Sequence, residues 1–239
     1  MINLIVFPLS IIPTILIYLW LRKKAMGDDV HRAEGKKALI YGFEAVLPVM
    51  ALSAVFKVLE VVIFREDGIP KSFYHAFFVL AFAEEAAKGY MLYRLLGKQD
   101  MENSRLDIVT YMVDIAIGFS ILESALYAIL TNVAQIIVRG LTFPHLGEGF
   151  IMGYFAAKGL KEGMRQWFIP AFLIPWILHG SYDFCLSPEF EDGNLPAAIA
   201  ALLLAALSVA LAITIIIYVK REKKKDLNSN SEENAHYEQ

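Results

Sequence analysis

Apolar residues run along the chain in long stretches, which short polar segments separate. The core of a bilayer is spanned by a helix of about 20 apolar residues. By that length, the pattern predicts seven spans, at residues 2–21, 38–64, 73–96, 107–130, 134–157, 167–186 and 196–219. The predicted fold is therefore an all-α, polytopic membrane helix bundle with about seven transmembrane helices.

The fifth span has the weakest pattern. Gly140, Pro144, Gly147 and Gly149 are expected to interrupt it. Interrupted backbone at membrane depth persists only where protein or a watery cavity satisfies its polar groups. We therefore expect this span to lie inside the bundle, with a start that is re-entrant.

Composition supports a membrane protein and excludes several other classes. Hydrophobic residues make up 57% of the 239 residues and charged residues 20%, with a net charge of −3. A soluble domain needs more polar surface than this, and a nucleic-acid-binding protein needs a basic face that is missing here. The one cysteine, Cys185, excludes a disulfide framework and a zinc cluster built on cysteines.

The basic residues predict an orientation. Of the 22 Lys and Arg residues, 17 fall in one set of alternate connections and three in the other. Cytoplasmic loops carry the excess of positive charge, so the N-terminus is predicted outside and the C-terminus in the cytoplasm. Residues 1–219 form one membrane domain in this interpretation, and the polar cytoplasmic tail 220–239 is predicted to be disordered.

Several ionisable residues lie within the apolar spans, where an unpaired charge is costly. Lys57 and Glu60 are three residues apart near the outer end of their span and can neutralise each other. The pattern assigns no role to this pair, to Glu44 or to Asp114.

The third span carries the densest group of charges. Glu84 and Lys88 are four residues apart and share a helix face, and Glu85 lies about 100° round the helix from Glu84. Two adjacent carboxylates in a low dielectric resist joint ionisation, and a nearby ammonium can hold one of them charged. This arrangement is typical of a tuned general base.

The fourth and sixth spans add further polar pairs. Glu123 and Tyr127 are four residues apart, as are His179 and Asp183, so each pair lies on one helix face. Asp183 can therefore orient the imidazole of His179 or join it at a metal.

Depth along the spans indicates that these groups meet. At about 1.5 Å per residue, Glu84, Glu123 and His179 lie roughly 10–17 Å below the outer ends of their spans. His145, close to Arg139 at the start of the fifth span, is shallower. We expect all four groups to converge on one cavity in the outer half of the membrane.

Carboxylates and histidines around a polar cavity favour hydrolysis by an activated water. The activating group is either a glutamate base or a metal bound by His and Glu. The candidate metal ligands are His145, His179, Glu84 and Glu123, and the two histidines with one glutamate can form a three-ligand zinc site with an open position. Lys88 would compete with a cation for the carboxylates, so the pattern leaves open whether the cofactor is one divalent metal or none.

Two other functions use the same buried charges. A proton-coupled transporter or ion pathway also needs buried Glu, His, Lys and Asp, but its charges would extend across the whole bilayer. A non-catalytic membrane receptor on this scaffold would tolerate their substitution.

Taken in order and spacing, the motifs resemble the PrsW family of intramembrane proteases and, more distantly, the type II CAAX prenyl endopeptidases. The resemblance covers about residues 73–186. It rests on Glu84-Glu85-Ala86-Ala87-Lys88, Glu123-Ser124-Ala125-Leu126-Tyr127, Arg139 with Pro144-His145 and Gly153-Tyr154, and His179-Gly180-Ser181-Tyr182-Asp183-Phe184.

The resemblance implies a multi-pass protease of the cytoplasmic membrane that makes the site-one cut in a single-pass membrane protein, such as an anti-sigma factor, on the outer side. Glu84 and Glu85 would activate water, while His145 and His179 would stabilise the oxyanion or bind a metal. Asp183 would orient His179. Glu123 would be a further catalytic residue, and the supporting residues would be Lys88, Tyr127 and Arg139.

Overall fold

The computed structural model describes residues 8, 11–12, 15–16, 18–19, 29–97, 103–130, 144–191 and 194–237. The regular elements within these ranges are all helical, and no strand forms in them. In chain order they are α1 (Asp29–Glu44), α2 (Val46–Ile63), α3 (Ile69–Tyr74), a π-helix (His75–Phe82), α4 (Ala83–Leu96), α5 (Arg105–Leu130), α6 (Pro144–Glu162), a 3₁₀ turn (Arg165–Trp167), α7 (Phe168–Cys185), α8 (Pro188–Glu191) and α9 (Leu195–Tyr237).

The bundle has the surface of a membrane protein. Within the described ranges, three helical segments are long and apolar enough to cross a bilayer, at Ala33–Ile63, Arg105–Leu126 and Leu195–Val219. Large apolar side chains of α2 face outward, with Leu47 and Val62 each 71% exposed. The all-α membrane class is confirmed, while the count of seven spans and the orientation stay predictions. The predicted span at residues 2–21 lies largely outside the described residues.

The fifth predicted span differs from its expectation. Within the described residues, α6 runs unbroken from Pro144, a residue favoured at the first position of a helix. A Cβ on Gly147 would lie 2.7 Å from the side chain of Ser208 in α9, and one on Gly149 would lie 2.8 Å from that of Ala116 in α5. The prediction that these two glycines interrupt the helix is therefore wrong. Their small size lets neighbouring helices approach the α6 backbone.

The π-helix is held by side chains from two neighbouring helices. Trp176 of α7 donates its indole N–H to the Phe77 carbonyl at 2.6 Å, and the Ser53 hydroxyl of α2 donates to the Val79 carbonyl at 2.6 Å. A π-helix interrupts the regular α-helical bonding pattern, so its backbone needs such partners in a bundle core. These bonds tie α2 and α7 to the segment that leads into Glu84 and Glu85.

The helical segment Ala33–Ile63 breaks near its middle into α1 and α2, and these two helices pack on different partners. Pro48 has no N–H to donate to the Glu44 carbonyl, and the chain turns at Ala45. Before the turn, α1 packs closely on α5 where Gly42 faces Gly118. After it, α2 packs mainly on α4 and the π-helix. The break therefore separates α2 from α5.

The last helix continues beyond its apolar part. The α9 backbone is helical to Tyr237, across most of the tail where composition predicts disorder. Lys and Glu have good helix propensity and prolong a helix that the apolar segment has already nucleated. The division of the chain into a membrane domain and a tail stays a prediction.

Gly42→Ala is expected to destabilise the bundle, whereas Gly89→Ala is not. A Cβ on Gly42 would overlap the Ile115 carbonyl oxygen and reach the Phe119 nitrogen at 2.8 Å, so α1 and α5 would have to separate. Overpacking of this kind costs about 1–3 kcal/mol. A Cβ on Gly89 would lie in ordinary contact, 3.6 Å from the Met152 sulfur. Thermal unfolding in detergent should show a lower Tm for Gly42→Ala alone; equal Tm values would contradict the packing.

Candidate active site

Four helices bring ionisable side chains together at one end of the bundle. The first turns of α4, the C-terminal part of α5, the start of α6 and the last turns of α7 meet there. All of these side chains are buried except that of Glu123, which is 12% exposed. The group, which we call the charge cluster, consists of Glu84, Glu85, Lys88, Glu123, His145, Glu148, His179 and Asp183.

Close helix packing positions His179. The next residue, Gly180, faces the ring of Phe77 in the π-helix, and a Cβ there would lie 2.7 Å from that ring. Because glycine has no side chain, α7 can approach the π-helix closely at this point. The approach places the His179 imidazole against the carboxylates at the start of α4.

One side of the charge cluster is built around the ammonium of Lys88. Its Nζ lies 2.5 Å from Oε1 of Glu85, 3.9 Å from Oε2 of Glu148 and 3.2 Å from Nδ1 of His145. His179 places its own Nδ1 2.8 Å from the same Glu85 oxygen. The sequence pairs Lys88 with Glu84 on one helix face, whereas its ion pair in the structure is with Glu85.

The Nε2 atoms of the two histidines face the other side of the charge cluster. His145 Nε2 lies 2.6 Å from Oε2 of Glu123 and 4.0 Å from Oε2 of Glu84. His179 Nε2 lies 3.6 Å from the same Glu84 oxygen and 3.2 Å from Oδ2 of Asp183. Glu84 therefore lies between the two imidazoles on this side.

Two buried polar atoms on the Nε2 side lack a hydrogen bond. These atoms are Oε2 of Glu84 and Nε2 of His179, which lie 3.6 Å apart. Asp183 contacts His179 Nε2 at 3.2 Å, but this contact does not have hydrogen-bond geometry. Leaving such atoms unsatisfied in a protein interior costs free energy. The pair marks a place where a water, a cation or a reacting group can bind.

Donor atoms on both sides of the charge cluster are spaced for a metal ion. On the Nε2 side, Glu84, Glu123 and His145 offer ligand atoms within 4.8 Å of one another. The cluster holds five carboxylates against one ammonium and two imidazoles, so a divalent cation fits its charge. On the Nδ1 side a second such set surrounds the position where Lys88 makes its contacts, and it consists of Glu85, His145, Glu148 and His179.

Most of the predicted site residues meet in the structure. Glu84, Glu85, Lys88, Glu123, His145, His179 and Asp183 all lie in the charge cluster. The side chain of Tyr127 and the whole of Arg139 lie outside the described residues. The catalytic or supporting roles of all nine predicted site residues stay predictions.

Other ionisable residues form pairs away from the charge cluster. Arg94 lies 3.3 Å from Glu44, and both Lys57, at 2.6 Å, and His75, at 2.7 Å, contact the buried Glu60. The pairing expected for Lys57 and Glu60 is therefore present. These contacts give structural partners to charges that the pattern leaves without a role.

Glu148 is the member of the charge cluster that the sequence reasoning missed. It is fully buried and its Oε2 lies 3.2 Å from Nδ1 of His145. The signal was present, because His145 and Glu148 are three residues apart and share a face if their segment is helical. The expected interruption at Gly147 and Gly149 concealed it.

Comparison with known proteins identifies related sequences. Residues 36–220 match the model of a family described as PrsW family intramembrane metalloprotease. Protease PrsW of Clostridioides difficile (strain 630) is 29% identical over 77% of this chain and 80% of its own length. Protease PrsW of Bacillus subtilis (strain 168) is 27% identical over 72% of this chain and 78% of its own length. No solved structure matches the chain.

Lys88→Met is expected to destabilise the protein far more than Lys71→Met. Removing Lys88 leaves Glu85 and Glu148 buried without their cation, and breaking a buried pair in this way costs about 3–5 kcal/mol. Lys71 pairs with Asp67, which is 90% exposed, and a surface pair contributes about 0–1 kcal/mol. The free energy of unfolding in detergent, measured for each variant and for the wild type, gives both losses of stability.

The double variant Lys88→Met with Glu85→Gln supplies the control for this interpretation. Neutralising Glu85 removes one of the uncompensated charges, so part of the lost stability should return. An equally unstable double variant would contradict the view that charge compensation, and not the volume of the lysine, is what matters.

Proposed function

The chain belongs to the PrsW family of intramembrane proteases, and on that premise we propose that it cleaves a single-pass membrane protein of the anti-sigma-factor class. This cut is the first of the successive cleavages that the substrate undergoes, and it lies near the outer face of the membrane. The observation that carries the proposal is the pair of buried, partnerless atoms, Oε2 of Glu84 and Nε2 of His179.

Glu84 acts as the general base in this proposal. A water hydrogen-bonded to both Glu84 Oε2 and His179 Nε2 satisfies the two atoms, which lie 3.6 Å apart. Glu84 takes a proton from this water as it attacks the scissile carbonyl, and returns it to the amine that leaves. Peptide hydrolysis is then complete without a covalent intermediate on the enzyme.

Glu85 and Asp183 position His179. Glu85 is expected from the resemblance to activate water, but its Oε1 lies between the His179 Nδ1 and the Lys88 ammonium. A carboxylate so engaged accepts a hydrogen bond from Nδ1–H, which leaves Nε2 with a lone pair toward the water. Asp183, at 3.2 Å from Nε2, favours a proton on that atom when charge develops during the reaction.

His145 and Glu123 complete the Nε2 side. Together with Glu84 they are the residues that would hold a divalent metal, which would then take over the activation of the water from the Glu84 base. The excess of carboxylates in the charge cluster supports such a metal. Bound there, the metal would lower the pKa of a water and polarise the scissile carbonyl. Glu148 accepts a hydrogen bond from His145 Nδ1 in that state, which turns the Nε2 lone pair toward the ligand position.

The distribution of basic residues supports a site near the outer face. The charge cluster lies where α5 ends and α6 begins, whereas Arg105 at the start of α5 contacts Glu162 at the end of α6, at 3.4 Å. Lys158, Lys161 and Arg165 belong to that opposite end of the helices. Because basic residues favour the cytoplasmic side, this distribution supports a position of the cluster toward the outside.

Glu84→Gln is expected to abolish cleavage while the protein accumulates normally. Glutamine has nearly the same shape but cannot take the proton from water. Fragments of membrane-protein ectodomains released by cells expressing the wild type should be missing from cells expressing Glu84→Gln at a matched level. Glu44→Gln is the control, because Glu44 pairs with Arg94 away from the charge cluster. Identical fragments from all three strains would contradict an endopeptidase and favour the transporter, which proton-flux measurements would test.

One divalent metal per chain is expected in the purified protein. Glu123→Gln should lower its metal content and its affinity for added Zn²⁺, whereas Glu162→Gln, outside the charge cluster, should change neither. Elemental analysis and calorimetric titration with Zn²⁺ measure these quantities. Full cleavage activity in a metal-free, chelator-treated preparation would overturn the metal and leave water activation to Glu84 and His179.

A further inference from the structure

A small apolar cavity lies between α2 and α5, beside the charge cluster. Its volume is about 200 Å³, and its apolar walls are formed by Val46, Val49 and Met50 of α2 with Phe119 and Leu126 of α5. Pockets that enclose whole ligands have about 300–1,000 Å³. The size of this cavity therefore suits one side chain of a larger molecule.

The cavity reaches the groups that are proposed to react. Glu84 and Glu123 line it along with the apolar side chains. A side chain that fills it therefore belongs to a residue whose peptide bond lies next to the proposed base. A larger apolar groove lies between α4, α6 and α7, and the charge-cluster residue that lines it is Glu85. The small cavity differs from this groove because it contacts Glu84, the proposed base.

The break between α1 and α2 creates this cavity. α1 packs tightly on α5 up to Gly42, and after the turn at Ala45 and Pro48 the α2 helix packs on α4 and the π-helix instead. Among the residues that the structure describes, none fills the space left between α2 and α5. Its rim is accessible, because Met50 is 63% exposed and Leu126 is 42% exposed. Both rim residues are apolar, so the mouth opens on an apolar lateral surface.

We propose that this cavity is the entrance and side-chain pocket for the substrate, and that it takes a small or medium aliphatic residue next to the scissile bond. The proposal rests on the endopeptidase function. A charged side chain would lose its hydration among the apolar walls, and an acidic one would also face Glu84 and Glu123. A tryptophan is the largest side chain and would take up most of the about 200 Å³, so its rigid rings must match the shape of the walls at Val49 and Met50, which a flexible aliphatic side chain need not do.

The test changes the size of the pocket without touching the charge cluster. A single-pass protein cleaved by the wild type but not by Glu84→Gln serves as the reporter, with Ala, Leu, Trp or Asp placed at each of the two residues that flank the cut. At one of these two positions, the wild type should cleave the Ala and Leu reporters at least tenfold faster than the Trp and Asp reporters. A methylene in an apolar pocket changes selectivity about 10–200-fold.

Two variants should shift this preference in opposite directions. Val49→Ala enlarges the pocket and should raise the Trp-to-Ala rate ratio about tenfold, whereas Met50→Trp should lower the Leu-to-Ala ratio. Val58→Ala is the matched control, since Val58 lies further along α2, is exposed and does not line the cavity.

The outcomes separate this proposal from the function on which it rests. Unchanged ratios in Val49→Ala and Met50→Trp, with Glu84→Gln still inactive, would overturn the pocket and leave the endopeptidase intact. If the wild type cleaves the Asp reporters as fast as the Ala reporters at both flanking positions, the pocket is likewise overturned and the endopeptidase stays intact. Fragments that persist in Glu84→Gln would instead overturn the endopeptidase.

Discussion

The fold depends on the compensation of charges buried at one end of an apolar bundle. Lys88 lies among Glu85, Glu148 and His145, and all four are nearly inaccessible to solvent. Each of these groups alone would be costly in such surroundings, and the cost is offset only when partners from α4 and α6 meet. Hydrophobic burial does not select one arrangement of apolar helices in a bilayer, since lipid is equally apolar. The charge cluster and the glycine contacts supply that selection.

In the proposed mechanism, the two nitrogens of each histidine divide the charge cluster into a supporting side and a reactive side. Nδ1 of His179 contacts Glu85, and Nδ1 of His145 faces both Glu148 and Lys88. Lysine only donates hydrogen bonds and a carboxylate only accepts them, so these two neighbours favour opposite tautomers of His145. When Nδ1–H of His145 donates a hydrogen bond to Glu148, Nε2 has a lone pair and can bind a metal. When Lys88 donates a hydrogen bond to Nδ1, Nε2 carries the proton and points it toward Glu123. The choice between metal-assisted and glutamate-only chemistry is thus tied to one imidazole.

Much of this could be predicted from the sequence, because long apolar runs and buried charges are strong signals in a membrane protein. The predicted segment 167–186 corresponds closely to α7, Phe168–Cys185, and the carboxylates and histidines expected to converge do so. The errors have a physical reason. The pattern predicts that glycine interrupts α6, although in a membrane bundle glycine permits close packing, and for this reason it does not reveal Glu148. The π-helix before Glu84 depends on partners from α2 and α7, which no local pattern reveals.

In the proposed function, the size of the cavity beside Glu84 constrains the conformation of the substrate. A helix with its side chains is about 10–12 Å across, which a cavity of about 200 Å³ beside Glu84 does not admit. The scissile bond must therefore reach Glu84 in an extended segment, with one side chain in the cavity. Extended backbone within lipid leaves polar groups unsatisfied, whereas at the end of a span those groups can still reach water. A charge cluster at one end of the bundle, with its lateral opening set by the turn at Ala45 and Pro48, suits a bond just beyond the substrate's transmembrane helix.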